Sequence, residues 1–360
     1  MVDHPEQVKL LTLLASKSGN RPLVFLKVNV GSNRAGVVPD SPVCATMVRE
    51  LLLSETVGSS VFWGLYSHAG HSYKSRKDWE AMGILGVEFG TLYEVARAIQ
   101  KDRPGKHLVL SVGATPTVKS LQHPAFDENA NANANVNANG TNTNGTSTGK
   151  EHALLISSNG GNATTTEQLR DLMARMRDDE LTLEVHAGVY PTLDIQQIAA
   201  HSCDAAHLTA SDIAITVLAE IASVYPARGA NGTTEALVNA GILALGRDPC
   251  EDMGEVKGQH YSAWGIVMPW AGITNEVPSS KFPAVHGGWQ VARLAQEHGV
   301  LAWKGPKETE TPLAVGQRVR VWPNHSCITG AGHSWYLVVD SRNTGSEDEV
   351  IDVWPRWNGW

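Results

Sequence analysis

Up to about Tyr225 the chain alternates short apolar runs with longer amphipathic stretches. Residues 23–30, 61–65, 107–112 and 181–186 are rich in Val, Leu and Ile and lead into Gly-, Ser- or Asn-bearing loops, which predicts four strands. Between them, residues 42–53, 73–100 and 164–178 carry helical periodicity. Strands alternating with helices predict a parallel sheet, and in such folds ligands bind at the carboxyl ends of the strands. Those ends are residues 29–34, 66–73, 111–117 and 186–190. After about Pro226 the texture changes. Nine of the eleven tryptophans lie from Trp264 onward, and residues 317–322, 335–339 and 349–354 form short strand-like segments. The expected organisation is an α/β domain over residues 1–225 and a β-rich domain over 226–360.

Residues 129–149 interrupt this pattern with Asn–Ala alternation followed by Asn, Gly and Thr. Such a tract has nothing to bury and is expected to form a disordered insertion, at about 127–150, within the first domain. Its Asn139 and Asn144 sequons matter only in a secreted chain. The 360 residues are 42% hydrophobic and 18% charged, enough for a sizeable core. Lys plus Arg number 29 against 37 Asp plus Glu, a net charge of −8, which argues against nucleic-acid binding. No apolar run approaches a membrane span, since residues 213–219 are bounded by Asp212 and Glu220. Asp3, His4 and Glu6 argue against a signal peptide. Cys44, Cys203, Cys250 and Cys327 are too scattered for a disulfide framework, so a cytoplasmic protein is expected.

Four features carry candidate chemistry. Ser111, Gly113, Thr115 and Thr117 follow an apolar run, and their hydroxyls and backbone N–H groups suit a phosphate cradle or an ordinary strand-to-helix turn. His68 and His71 lie between Tyr66 and Tyr73 in one loop, as a metal pair or as a polar site wall. His325 and Cys327 place imidazole and thiol two residues apart, on one face of an extended segment. That pair suits zinc; with no second His–Cys pair it predicts open coordination positions, the catalytic kind of site, against the alternative of a buried Cys beside a surface His. Arg34 at a strand end serves an anion or is a solvated surface residue.

Taken in order, these motifs resemble the D-serine dehydratase and D-threonine aldolase family. The resemblance rests on Met1-Val-Asp-His-Pro-Glu-Gln7, Lys27-Val-Asn-Val-Gly-Ser-Asn-Arg-Ala-Gly36, Leu65-Tyr-Ser-His-Ala-Gly-His-Ser-Tyr73 and Glu184-Val-His-Ala-Gly-Val-Tyr190. Residues 111–117, 235–249, Glu297-His-Gly299, Pro323-Asn-His-Ser-Cys327 and Asp352-Val-Trp-Pro-Arg356 extend it over nearly the whole chain. It implies a pyridoxal-phosphate enzyme on an alanine-racemase-like (β/α) barrel of TIM type, followed by a C-terminal β domain. By resemblance Tyr66, Tyr73 and Tyr190 belong to the cofactor pocket, and Thr115 to the phosphate. Gly188 and Val189 would offer backbone N–H groups to the same phosphate; the family often has Asn where Val189 stands. Arg34 would face the phenolic oxygen of the cofactor. His325 and Cys327 match the zinc ligands of the dehydratase branch, and Cys327 favours that branch because the aldolases tend to place a carboxylate there. The implied reaction is β-elimination from D-serine to pyruvate and ammonia, with the cofactor as electron sink and zinc holding the β-hydroxyl. A homodimer acting on a small D-amino acid is likewise implied.

One departure stands against these matches. In the family the cofactor-bearing lysine lies on the first barrel strand, upstream of the segment that residues 1–7 resemble. The barrel is therefore expected to be incomplete at its N-terminus, lacking roughly three β/α units, with exposed apolar edges, and no catalytic lysine is assigned. Lys9, Lys17 and Lys27 all lack the motif; Lys27 lies in an apolar strand from which it can approach the interior as a substitute base. The alternatives are an aldolase-like lyase, a catalytically dead cofactor- or metal-binding remnant, and a metal hydrolase built on His68 and His71.

Overall fold

Local chemistry at the N-terminus starts a helix that the apolar pattern alone does not announce. His4 Nδ1 accepts the N–H of Glu6, Gln7 Oε1 accepts the N–H groups of Asp3 and His4, and Pro5 occupies the first helical turn. The result is α1 (Pro5–Ser18). The computed structural model describes residues 1–123, 162–202, 212–251, 261–269, 288–340, 342–346 and 348–357. They divide into two compact units, Met1–Gly188 and Val189–Trp360. The expected insertion at about 127–150, with Asn139 and Asn144, lies outside the described residues, as does Cys203.

In the N-terminal unit, β1 (Leu23–Lys27), α2 (Pro42–Thr56), β2 (Val61–Tyr66), α3 (Asp78–Asp102), β3 (Val109–Val112), α4 (Thr115–Lys119), α5 (Asn162–Asp178) and β4 (Thr182–Val185) follow in order. The strands pair in parallel as β1-β2-β3-β4. This is the predicted alternation, present among the described residues as an open four-stranded sheet rather than a closed barrel. Every residue of β3 is buried, as expected of a parallel strand covered on both faces. Its Leu110 and Val112 share a core with Leu26, Phe62, Leu65, Leu85, Phe89 and Leu92. Gly64 allows β2 to approach β3 closely, because a Cβ there would lie 2.0 Å from the Val109 carbonyl oxygen. The helix expected from Tyr73 begins instead at Asp78, since Gly70–Lys74 forms a separate 3-10 turn.

The C-terminal unit begins with α6 (Ile195–Ala199) and continues through β5 (Val217–Tyr225), β6 (Glu235–Val238), α7 (Ile242–Leu245), β7 (Ile266–Pro269), β8 (Trp289–Leu294) and β9 (Gly299–Trp303). After β10 (Arg318–Trp322) come α8 (Ser326–Ala331) and a hairpin of β11 (Trp335–Val338) with β12 (Asp352–Pro355). Six strands close an antiparallel barrel in the order β10-β5-β6-β9-β8-β7. Along β5, Val217, Ala219 and Ile221 are buried while Leu218 and Glu220 face outward, the period of two that a barrel wall requires. The expected break at 225/226 therefore moves to 188/189. Residues 217–225, which end the apolar alternation in the sequence, are a barrel strand because both of their edges find antiparallel partners in β6 and β10. Among the described cysteines, Cys44 and Cys250 are buried, Cys327 is exposed, and all three are free thiols. No helix among the described residues is long and apolar enough to cross a membrane.

Candidate functional site

Strand register builds the first cluster. Lys27 pairs with Tyr66, Tyr66 with Ser111, and Ser111 with Glu184, a continuous row across the carboxyl ends of β1 to β4. Residues in register on a pleated sheet project from the same face, and His186, two residues past Glu184, returns to it. The row is closely packed. Lys27 Nζ lies 4.6 Å from the centre of the Tyr66 ring. His186 stacks on Tyr66 with centroids 4.4 Å apart and planes 7° from parallel. Ser111 Oγ donates to Glu184 Oε1 at 2.6 Å, and the same oxygen lies 3.1 Å from His186 Nδ1. Since the one hydroxyl proton goes to the carboxylate, Ser111 Oγ accepts from His186 Nδ1–H. The lone pair of His186 then sits on Nε2, a buried atom without a hydrogen-bond partner among the described residues. Burial, with His68 second, lowers the imidazole to about 4, so His186 is neutral at physiological pH. Burial, aided by Arg34, also lowers the Lys27 ammonium, with Asp3 and Glu88 opposing.

The loops above this row are held by one carboxylate. Glu88, on α3, is fully buried and accepts from Ser67 Oγ at 3.0 Å, Gly113 N–H at 3.4 Å and Thr117 Oγ1 at 3.3 Å. It thereby ties the loop after β2 to the loop after β3. Burial pushes its carboxyl up to about 7 against these hydrogen bonds. Gly113 has φ +139°, and a Cβ there would lie 2.3 Å from the His186 carbonyl oxygen. Its own carbonyl oxygen accepts from His68 Nδ1 at 2.8 Å. In this structure the hydroxyls of residues 111–117 differ in what they contact. Ser111 donates its hydroxyl to Glu184, and Thr117 directs its own toward Ala114 and Glu88. Thr115 is fully buried at the start of α4.

The remaining site residues of this unit are placed as follows. Arg34 is exposed in the loop after β1, and its charge acts on Lys27, Tyr66 and His68, which puts it at the same end of the sheet. That loop is pinned by Asn29 Oδ1, which accepts from the N–H groups of Gly31 and Asn33. Tyr73 is half-buried in the 3-10 turn, and Gly188 is exposed at the end of the unit. His68 is engaged by the Gly113 carbonyl. No group of three or more His, Cys, Asp or Glu suited to a metal occurs among the described residues, around His68 and His71 or around His325 and Cys327. Burial lowers the His68 and His71 imidazoles. In the C-terminal unit Val189 is fully buried, its carbonyl accepting from the N–H groups of Thr192 and Leu193, and Tyr190 is 49% exposed.

The second cluster lies wholly in the C-terminal unit, around the turn from β10 into α8. Asn324 anchors this turn: its amide donates to the carbonyls of Asp248 and Ala263 at 3.0 and 2.8 Å and accepts from Tyr261 Oη at 2.7 Å. Residues 193–197 run alongside. The N–H groups of Ile195 and Gln196 donate to the carbonyls of Pro323 and Asn324. Buried Asp194 accepts from the N–H groups of Ser326 and Gln197. His325 caps α8, with Nδ1 2.6 Å from Gln196 Oε1 and 4.0 Å from Asp194 Oδ2. Burial raises the Asp194 carboxyl. The alternative of a buried cysteine beside a surface histidine is reversed, because Cys327 is exposed while the His325 side chain is only 18% exposed. The sulfur is nonetheless partly enclosed, and that burial, with Asp194, raises the thiol while Arg356 opposes.

Glu88, Glu184, His186 and Gln196 were not among the sequence-derived site residues, and Lys27 was weighed only as a substitute base. Polar residues closing apolar strands were a signal for Lys27 and Glu184. Glu88 and Gln196 carried none, being ordinary polar residues within helical segments.

Residues 214–339 match the family model described as "Putative serine dehydratase domain". The chain is 31% identical to the D-serine dehydratase of Schizosaccharomyces pombe and 30% identical to that of Saccharomyces cerevisiae, each match covering 100% of this chain and 67% of the relative. Its fold is similar to that of a D-threo-3-hydroxyaspartate dehydratase mutant solved in a metal-free form, with TM-score 0.63, 21% identity, and coverage of 100% of this chain and 72% of that one.

Proposed function

From the premise that the chain belongs to the D-serine dehydratase family, we propose that it is a lyase of D-serine, dependent on pyridoxal phosphate and zinc, that forms pyruvate and ammonia. The observation that carries this reading is the conjunction of 31% and 30% identity to two D-serine dehydratases over the whole chain with a histidine and a cysteine at the start of α8.

The residues fit both groups. Tyr66 and the buried His186 Nε2 give an aromatic wall with a polar atom beside which a flat heteroaromatic ring would lie, and Gly113 keeps the loop beside them free of a side chain. Tyr66, Tyr73, Thr115, Gly188 and Arg34 would hold the cofactor in the N-terminal unit. Pyridoxal phosphate, when bound, supplies an electron sink for the carbon that loses its proton. His325 and Cys327 combine an imidazole nitrogen with an accessible sulfur, a donor pair suited to zinc, which would act as Lewis acid on the departing hydroxyl. This chain's own residues orient and exclude water. Tyr66 presents its ring between Lys27 and His186, Glu88 holds two site loops together, and neutral His186 stacks on Tyr66.

The test is product analysis on protein isolated from its source, supplied with pyridoxal phosphate and zinc. Pyruvate and ammonia from D-serine, lost on substituting His325 or Cys327, are the expected result. Glycine and acetaldehyde from D-threonine with no pyruvate would replace the reading by an aldolase, and no turnover of either would overturn it. Borohydride reduction and peptide mapping locate the lysine that carries the cofactor.

A further inference from the structure

We propose that Gln196 is a positioning residue of the metal site, selecting which nitrogen of His325 is offered to zinc. This inference rests on the zinc reading above. The argument is a count of donors and acceptors. Gln196 Nε2 donates to the Pro249 carbonyl at 2.7 Å. A carbonyl accepts only, so the amide cannot be reversed, and Oε1 is the atom facing His325 Nδ1 at 2.6 Å. An amide oxygen likewise accepts only. Nδ1 therefore carries the proton and Nε2 the lone pair, the form in which an imidazole binds a metal through Nε2.

The carrier of that amide is rigid. Gln196 is 9% exposed, and its backbone N–H donates to the Asn324 carbonyl next to His325, so ligand and orienting group are fastened to each other through main chain as well as side chain. Asp194, the other acceptor near Nδ1, is 4.0 Å away and already takes the N–H groups of Gln197 and Ser326.

The experiment compares Gln196→Met, which keeps length and removes the acceptor, with Gln196→Glu, which restores one. Two quantities are read: the 15N shifts of His325 in zinc-free protein, and the zinc dissociation constant against a competing chelator. The wild type is expected to show the Nδ1–H tautomer. Gln196→Met is expected to mix tautomers and weaken zinc by about 10–100-fold, whereas Gln196→Glu keeps an acceptor at Nδ1 and with it the Nδ1–H form, at the loss of the donor to Pro249. An unchanged tautomer and unchanged affinity in Gln196→Met would overturn the inference. If Gln196→Met fails to fold, the tautomer of the wild type and of Gln196→Glu decides, and an Nε2–H tautomer in either overturns it. Full zinc binding by His325→Ala would instead overturn the zinc reading, while the tautomer measurement still judges the role of Gln196.

Discussion

Tyr66 and His186, 120 positions apart in the chain (186 minus 66), lie face to face with ring centres 4.4 Å apart. Tyr66 ends β2 and His186 follows β4; these strands are not neighbours but flank β3. Offset or parallel contacts of this kind contribute about 0.5–1.5 kcal/mol beyond their buried area. A double-mutant cycle with Tyr66→Leu and His186→Leu should give a coupling energy of about 1 kcal/mol for the N-terminal unit, and a weaker fluorescence titration with pyridoxal phosphate in each single variant. Strict additivity of the two changes would mean that the stack contributes nothing.

Glu88 makes stability depend on pH. Burial holds its carboxyl at about 7, whereas in the unfolded chain it returns to about 4.3. The folded state thus binds the extra proton, so its contribution is fully present below about pH 4.3 and is lost as pH rises through about 7. Over that window the loss amounts to about 3 kcal/mol. Glu88→Gln cannot titrate and should gain on the wild type by about this amount between about pH 5 and pH 8. Urea unfolding monitored by hydrogen exchange over Val109–Val112 measures it; a difference independent of pH would show that Glu88 is not the titrating group.

Gly113 offers a steric test of the loop. At φ +139°, with the His186 carbonyl oxygen 2.3 Å from where a Cβ would lie, alanine can be admitted only by moving β3 away from β4. Gly113→Ala should cost roughly 1–3 kcal/mol and disturb the His186 side-chain resonances. A variant with unaltered melting temperature and spectra would mean the loop yields freely.

Cys327 should be singled out by its exposure. Thiol labelling of the native, zinc-free protein is expected to modify Cys327 well before Cys44 and Cys250, which are buried. Zinc should suppress labelling at Cys327 alone, and a chelator should restore it. Peptide mapping that finds Cys327 equally reactive with and without zinc would remove it from the ligand set.

The sequence alone determined the kinds of element, because helix and strand periods are local. The runs that became β1 to β4, the helices between them and the β-rich C-terminal half were all legible from which positions are apolar. The local conformation at His325 and Cys327 was not: two-residue spacing suggested one face of an extended segment, whereas His325 precedes α8 and Cys327 lies within its first turn. What only the tertiary structure decided is which distant residues meet. The row Lys27–Tyr66–Ser111–Glu184 depends on parallel register, and a slip of one residue in any strand would turn its member to the opposite face. Glu88 reaches Ser67 and Gly113 across 21 and 25 positions, and Gln196 reaches His325 across 129. No local period encodes such contacts. Even the boundary between the two units was settled this way: residues 217–225 fell inside the alternating region with no strand predicted for them, and only their antiparallel partners assigned them to the closed barrel.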